Sequence, residues 1–266
     1  MIRKILNKIM IKEKKLFTSF SDNGSYPSFC LNASINDKIF STFRSSPIYD
    51  CIVDVINEEQ GQLFYEKLLK HPDFLNEINE FKKNDLFGGP RLYNYSKVGE
   101  ISPATLRYVN ILYHLENIFG NLSNKTIVEI GIGYGGQARI LNEKYNIKEY
   151  NLIDLKEVNK LAEKYLNKFP KKRNYKFHNI DNISFNTIDL FISNYAFSEL
   201  KRELQEFYLE NVILKSKSGY MLYNHINPPE FSSFTQTEIQ KRIPNSKILE
   251  ESPKTSDKNY IIYWNN

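Results

Sequence analysis

The residues with the clearest chemical meaning form one short run, Glu129-Ile130-Gly131-Ile132-Gly133-Tyr134-Gly135-Gly136-Gln137. An apolar stretch enters a cluster of glycines, and a helical pattern leaves it. Glycine permits a tight turn and lets a ligand touch bare backbone, because no Cβ intervenes. The helix that follows points its first N–H groups back at the loop. Such a loop is built to hold a nucleotide-like molecule.

Gly131, Gly133 and Gly136 on their own also satisfy the dinucleotide pattern G-x-G-x-x-G. Asp154, at the end of the next apolar run, fits either kind of ligand, since both need a carboxylate for ribose hydroxyls. Three features favour S-adenosylmethionine. Glu129 stands two residues before the first glycine, where a carboxylate crowds a pyrophosphate but suits the cationic methionine end. Gly135 makes the loop G-x-G-x-G. The chain ends in a candidate two-strand hairpin, which leaves no room for a separate dehydrogenase substrate domain. Two later positions fit the same pocket. Asp181 follows the third strand and could accept a hydrogen bond from the adenine amino group. Ser193 and Asn194 end the fourth strand, at the carboxyl edge where ligands of open α/β sheets sit.

The elements that must hold these residues divide near residue 120. Upstream, the pattern is helical with little strand signal. Phe74, Leu75, Ile78 and Phe81 share a helix face, with Pro72 in its first turn. Gly88-Gly89-Pro90 is a strong breaker. Ser102-Pro103 is an N-cap followed by proline, and the helix it starts turns Val109, Leu112 and Phe119 inward and stops at Gly120. Downstream, strands and helices alternate. Strands are predicted at Thr126–Ile130, Tyr150–Asp154, Tyr175–His178, Ile188–Ser193 and Gly219–Tyr223. A final hairpin is predicted from Lys247–Glu250 and Tyr260–Trp264. Helices are predicted over Gln137–Tyr145, around Val158–Leu166 and around Leu200–Val212. The expected fold is α/β, a Rossmann-like doubly wound sheet, mostly parallel, with a C-terminal antiparallel hairpin. Residues 1–120 would form a helical N-terminal segment over the site, and residues 121–266 the cofactor domain.

Composition narrows the class. The chain has 266 residues, 41% hydrophobic and 25% charged, which makes it globular rather than disordered. The net charge of +5 is mild. Basic residues concentrate at Arg3, Lys4, Lys8, Lys12, Lys14 and Lys15, and again at Lys168, Lys171, Lys172, Arg173 and Lys176. Either run could meet an anionic partner, and a solvated face is the plainer reading. No nucleic-acid partner is expected. Ile2, Ile5, Leu6, Ile9 and Met10 lie at helical spacing opposite the lysines. Residues 1–17 could therefore touch a membrane surface, although a helix docked on its own protein explains the pattern better. Cys30 and Cys51 have no metal-type or disulfide-framework spacing, which fits a reduced cytoplasm. No metal is expected.

The glycine loop together with Ser193-Asn194-Tyr195-Ala196-Phe197-Ser198-Glu199-Leu200 resembles the sugar O-methyltransferase family of bacterial capsule and lipopolysaccharide clusters. Gly88-Gly89-Pro90 and Ser102-Pro103-Ala104-Thr105-Leu106-Arg107-Tyr108 carry the resemblance further, so that it covers roughly residues 40–226. It implies methyl transfer from S-adenosylmethionine to a hydroxyl of a sugar, or to a group attached to one, on a carbohydrate or nucleotide-linked glycan acceptor. It also implies that the segment from Gly88 to Tyr108 folds over the cofactor, where Arg107 could bind the methionine carboxylate. The expected cofactor set is thus Glu129, Gly131, Gly133, Tyr134, Gly135, Gln137, Asp154, Leu155, Asp181, Ser193, Asn194 and Arg107.

A sugar hydroxyl needs a base to take its proton. His225, after the fifth strand, is the first candidate, because histidine titrates near working pH. Glu199 is its rival, as a base, as a partner for sugar hydroxyls or as a metal ligand. Tyr195 would wall the acceptor. His178 is a weaker candidate, and His71 and His114 look structural. Asn194-Tyr195-Ala196-Phe197 only distantly resembles the Asn-Pro-Pro-Tyr loop of N-methyltransferases and lacks both prolines, which disfavours N-methylation. Three alternatives stand beside this reading: methylation of a phosphoryl or phosphoramidate-type substituent of a surface glycan, an NAD(P)-dependent oxidoreductase, and a cofactor-binding scaffold without activity.

Overall fold

The computed structural model describes Ser19 and residues 21–22, 24–170 and 174–265. The basic amphipathic stretch 1–17 and the lysine–arginine run 171–173 lie outside the described residues.

Alternating apolar runs become the strands β3 (Thr126–Ile130), β4 (Glu149–Ile153), β5 (Tyr175–His178), β6 (Ile188–Asn194), β7 (Ser216–Tyr223), β8 (Lys247–Glu250) and β9 (Tyr260–Asn265). They form one sheet in the order β5-β4-β3-β6-β7-β9-β8. The first five are parallel, while β9 runs antiparallel to both β7 and β8. The expected mostly parallel sheet with a C-terminal antiparallel hairpin is therefore present. Strand order reverses beside β3, which lies between β4 and β6, and this opens a crevice at their carboxyl ends. A second, unpredicted hairpin, β1 (Tyr93–Tyr95) with β2 (Gly99–Ile101), lies in the N-terminal segment. Each of its strands has only three residues, too few for a period of two to stand out.

Period-two alternation loads both faces of the sheet. Ile127, Leu152, Leu190 and Leu222 face one apolar layer, and Val128, Ile153, Phe191 and Met221 face the other. The first layer is completed by the N-terminal segment: Tyr26, Phe43, Phe64 and Leu112 belong to the same cluster as Ile127. The division near residue 120 is thus a change of element type within one continuous core. The helices of this layer are α1 (Ser25–Ile35), α2 (Glu58–Leu68), α3 (Pro103–Phe119), α4 (Gly136–Lys144) and α5 (Lys156–Leu166). Helix α1 lies on α5, and α2 on α3. On the opposite face sit α6 (Arg202–Asn211) and α7 (Gln236–Arg242). The predicted helix around residue 78 is two short turns, Pro72–Asn76 and Ile78–Phe81, interrupted at Glu77. No helix among the described residues is long and apolar enough to cross a membrane.

A buried ionic cluster locks the N-terminal segment onto the glycine loop. The Arg44 guanidinium meets Asp54 at 2.7 Å and Asp85 at 2.8 Å. It donates to Ser102 Oγ (3.0 Å) and lies 4.6 Å from the centre of the Tyr134 ring. Ser102 accepts from Thr105 N at 3.1 Å as the N-cap of α3, and donates to Asp85 at 2.7 Å. Ser102→Ala therefore removes a helix cap and a buried partner together. The expected loss is about 1–2 kcal/mol in urea unfolding. An unchanged midpoint would show that water takes over both roles.

Candidate active site

The crevice beside β3 opens into a cavity of about 580 Å³. The carboxyl ends of β3, β4 and β6 form its base, and the N-terminal segment forms its roof. Ten of the residues expected from the sequence line it: Arg107, Glu129, Gly131, Gly133, Asp154, Leu155, Asp181, Asn194, Tyr195 and Glu199.

Glu129 is 2% exposed, at the carboxyl end of β3. Tyr150 donates to its Oε2 at 2.6 Å, and among the described residues no lysine or arginine pairs with it. Burial pushes its carboxyl up to about 8, against which the Tyr150 hydrogen bond works. A buried carboxyl that faces a cavity without a protein cation among the described residues can accept a cationic group. Asp154, at the tip of β4, accepts from Gly133 N (3.2 Å) and Leu155 N (2.8 Å). Burial raises it to about 6, and those backbone donors hold it back. Arg107, in the first turns of α3, is 7% exposed; it donates to Val53 O at 2.9 Å and has no carboxylate within ion-pair distance among the described residues. Asn194 Oδ1 is buried without a hydrogen-bond partner among the described residues.

The glycines divide their work. Gly131 and Gly133 line the cavity, and a Cβ on Gly131 (φ +77°) would sit 1.9 Å from the Ala196 Cβ. That close approach seats the loop after β3 against the loop after β6. Gly135 faces the core instead: it is the left-handed N-cap of α4, and its Cβ would press on Leu166 at 2.9 Å. Its φ of +86° is the reason for glycine there. Three further expected residues lie outside the lining. Tyr134 is fully buried, edge-on to Tyr165 with ring centres 4.7 Å apart. Gln137 is buried and donates to Tyr108 O at 3.3 Å. Ser193 points into the core, where its Oγ donates to Ile130 O (3.3 Å) and accepts from Phe197 N (3.0 Å). All three brace the loops from behind.

The same correction applies to His225. It lies outside the lining and shares a 2.8 Å hydrogen bond with Tyr260 OH. Its neighbour Asn224 lines the cavity in its place and donates to Glu199 Oε1 at 3.0 Å. Loss of solvent raises the Glu199 carboxyl, and this hydrogen bond opposes the rise. His178 sits at 2.7 Å from Asn151 Oδ1, outside the cavity. His71 stacks on Tyr113, and His114 lies 3.0 Å from Tyr220 OH, with burial depressing it to about 4.

Sequence reasoning missed Asn224, and it missed the loop between β8 and β9. Thr255, Ser256 and Asn259 of that loop line the cavity together with Gln60 from α2. Nothing in their local pattern marks them, because the contacts join segments nearly 200 positions apart. Among the described residues, no group of three or more potential ligands could hold a metal ion.

No protein-family model matches the chain, and no curated protein matches it. Among solved structures it is similar to an S-adenosylmethionine-dependent methyltransferase from Aquifex aeolicus, at 18% identity and a TM-score of 0.43, over 57% of this chain and 87% of that one. It is also similar to magnesium protoporphyrin IX methyltransferase from Synechocystis PCC 6803, at 11% identity and a TM-score of 0.47, over 59% of this chain and 76% of that one. Likeness at this level carries no function across. The chain's own strand order and directions give it a Rossmann-like fold of the methyltransferase type, with seven strands and a helical N-terminal segment.

Proposed function

We propose that the chain is an S-adenosylmethionine-dependent methyltransferase, and that it methylates an oxygen of a carbohydrate or of a group linked to one. The observation that carries the first part is Glu129: a buried carboxyl, without a protein cation among the described residues, at the crevice where the strand order reverses. When bound, S-adenosylmethionine supplies a methyl group on a cationic sulfur. Glu129 would neutralise the cationic methionine end, Arg107 would take its carboxylate, and Asp154 would bond the ribose. Asn194, with its unsatisfied Oδ1, would accept a ligand donor.

The same geometry disfavours a dinucleotide. A pyrophosphate normally rests on the first N–H groups of the helix after the loop. Here Gly135, Gly136 and Gln137 are outside the lining, and a Cβ on Gly136 would meet the Tyr108 and Tyr134 rings at 2.6 Å. That helix end is plugged by aromatic rings.

The oxygen acceptor is supported by Glu199, a carboxyl that can take a hydroxyl proton, and by a wall of hydrogen-bonding neutral side chains: Gln60, Asn224, Thr255, Ser256 and Asn259. Such a wall suits a polyhydroxylated ligand. The sequence resemblance to sugar O-methyltransferases points the same way.

Calorimetry should show S-adenosylhomocysteine binding with a Kd of about 1–100 μM and no heat with NAD. Binding of NAD alone would overturn the methyltransferase reading. Mass spectrometry of cell-surface glycans with and without the gene should show the loss of one methyl group, and unchanged glycans would remove the carbohydrate acceptor.

A further inference from the structure

Tyr195 stands at the tip of β6, lining the cavity, with φ of +67°. A bulky side chain adopts that conformation at a cost of about 1–3 kcal/mol, so the surroundings must hold it there. Its backbone N–H donates to Leu222 O at 2.8 Å, and its hydroxyl donates to Glu251. Its ring centre lies 5.9 Å from the Arg107 guanidinium.

Glu251 is 5% exposed and does not line the cavity. It begins the loop between β8 and β9, and its carboxylate gathers that loop around it. Thr255 N donates to Oε2 at 2.8 Å, Thr255 Oγ1 at 2.7 Å and Asn259 Nδ2 at 3.1 Å. One buried carboxylate thus joins Tyr195 to Thr255 and Asn259, three residues of the acceptor-side wall contributed by two segments distant in sequence. The loop has other anchors: Lys67 Nζ donates to Ser252 Oγ (3.2 Å), and Asn110 Nδ2 to Ser252 O (2.9 Å). Loss of the Glu251 carboxylate therefore leaves the loop tethered at Ser252.

We infer that Glu251 is a positioning residue for the acceptor half of the site. It touches no ligand itself, and it sets the place of Tyr195 and of the Thr255–Asn259 wall. The function of that wall rests on the methyltransferase reading above, but the clamp does not.

The test places 3-fluorotyrosine at position 195 in the full chain and follows its fluorine resonance in the Glu251, Glu251→Gln and Glu251→Ala forms. With Glu251 present, the resonance should be a single narrow line, and the phenol should ionise well above the free amino acid, because burial raises it and the Glu251 carboxylate facing it raises it further. Glu251→Gln keeps an acceptor but removes the charge, so the line should stay narrow while the phenol ionises at lower pH. Glu251→Ala should broaden or split the line and speed amide exchange at Thr255. Binding of S-adenosylhomocysteine should change by less than about fivefold in both variants, because Glu251 reaches the cofactor side only through the 5.9 Å contact of Tyr195 with Arg107. A fluorine line and titration that are the same in all three forms would overturn the proposal. So would a loss of S-adenosylhomocysteine affinity as large as the change at Tyr195, since that would mark Glu251 as a support of the whole fold. Failure of the unsubstituted protein to bind S-adenosylhomocysteine would remove the methyltransferase reading, while the fluorine titration would still decide the clamp.

Discussion

Glu129→Gln is expected to weaken S-adenosylmethionine binding by about 100-fold, the equivalent of ~3 kcal/mol for a buried charge-assisted contact. The substitution keeps size and shape, so the loss reports the charge. It also has a pH signature. In the free protein this carboxyl sits near 8, so at neutral pH it is largely protonated. A bound cation favours the ionised form. Binding must then release a proton, and affinity should rise by up to about tenfold per unit as pH climbs from roughly 6 to 8. Calorimetry in buffers of different ionisation heat reads the released proton directly. In Glu129→Gln both the proton release and most of the pH slope should vanish.

The same group makes a prediction for the protein without ligand. A carboxyl raised from its ordinary 4.5 to about 8 binds more protons folded than unfolded across that interval. Its contribution is therefore fully present below the unfolded value and is lost as pH rises through about 8. Asp154, raised to about 6, adds the same sign over a lower window. Thermal stability should fall between about pH 5 and 8 and should fall less steeply in Glu129→Gln. A slope that is unchanged by the substitution would mean that Glu129 is already ionised, with a cation beside it.

How much of this was legible in sequence follows from how local each cause is. Thr126–Ile130, Tyr175–His178 and Lys247–Glu250 are strands where short runs of apolar residues predict them, because the signal lies within the run itself. Glu129 and Asp154 were readable for a related reason: Glu129 stands one residue before the end of β3 and Asp154 follows β4, so each must lie near the sheet's carboxyl edge. Which way a side chain turns at that edge was not readable. Successive residues of an extended chain point to opposite sides, so a one-position difference exchanges inside for outside. Asn224 looks into the cavity and His225 away from it. Asn194 and Ser193 divide in the same way. That Tyr134 lies buried outside the lining was not readable either, because its environment is tertiary. The arginine over its ring comes from position 44, and the tyrosine at its edge from position 165. The loop holding Glu251 carries no motif at all, and its meaning appears only where β8 and β9 bring it to Tyr195.

That parity turns His225 away from the cavity and leaves Glu199 as the candidate base to test. Glu199→Gln is expected to reduce methyl transfer by about 10²–10⁴-fold, the usual contribution of one positioned base. S-adenosylhomocysteine affinity should stay within about twofold, because the contacts are separate. His225→Ala should leave turnover within about threefold, since its ring is bonded to Tyr260 outside the cavity. Three observations favour Glu199. It lines the cavity, Asn224 fixes one of its oxygens, and loss of solvent raises its carboxyl above the ordinary carboxylate range, which makes it a stronger base. Removing the Asn224 donor, as in Asn224→Leu, should raise that carboxyl further and move the acidic limb of the pH–rate profile to higher pH. The measurement is transfer of labelled methyl from S-adenosylmethionine into glycan precursors extracted from cells that lack the gene. Full turnover in Glu199→Gln, with collapse in His225→Ala, would mean that the loop after β7 rearranges when the acceptor binds and brings the imidazole in. Loss in neither variant would leave positioning alone to drive the transfer, as it can where the acceptor oxygen is already ionised. An oxygen that arrives ionised belongs to a phosphoryl-type substituent rather than a sugar hydroxyl, so this pair of variants also tests the class of acceptor.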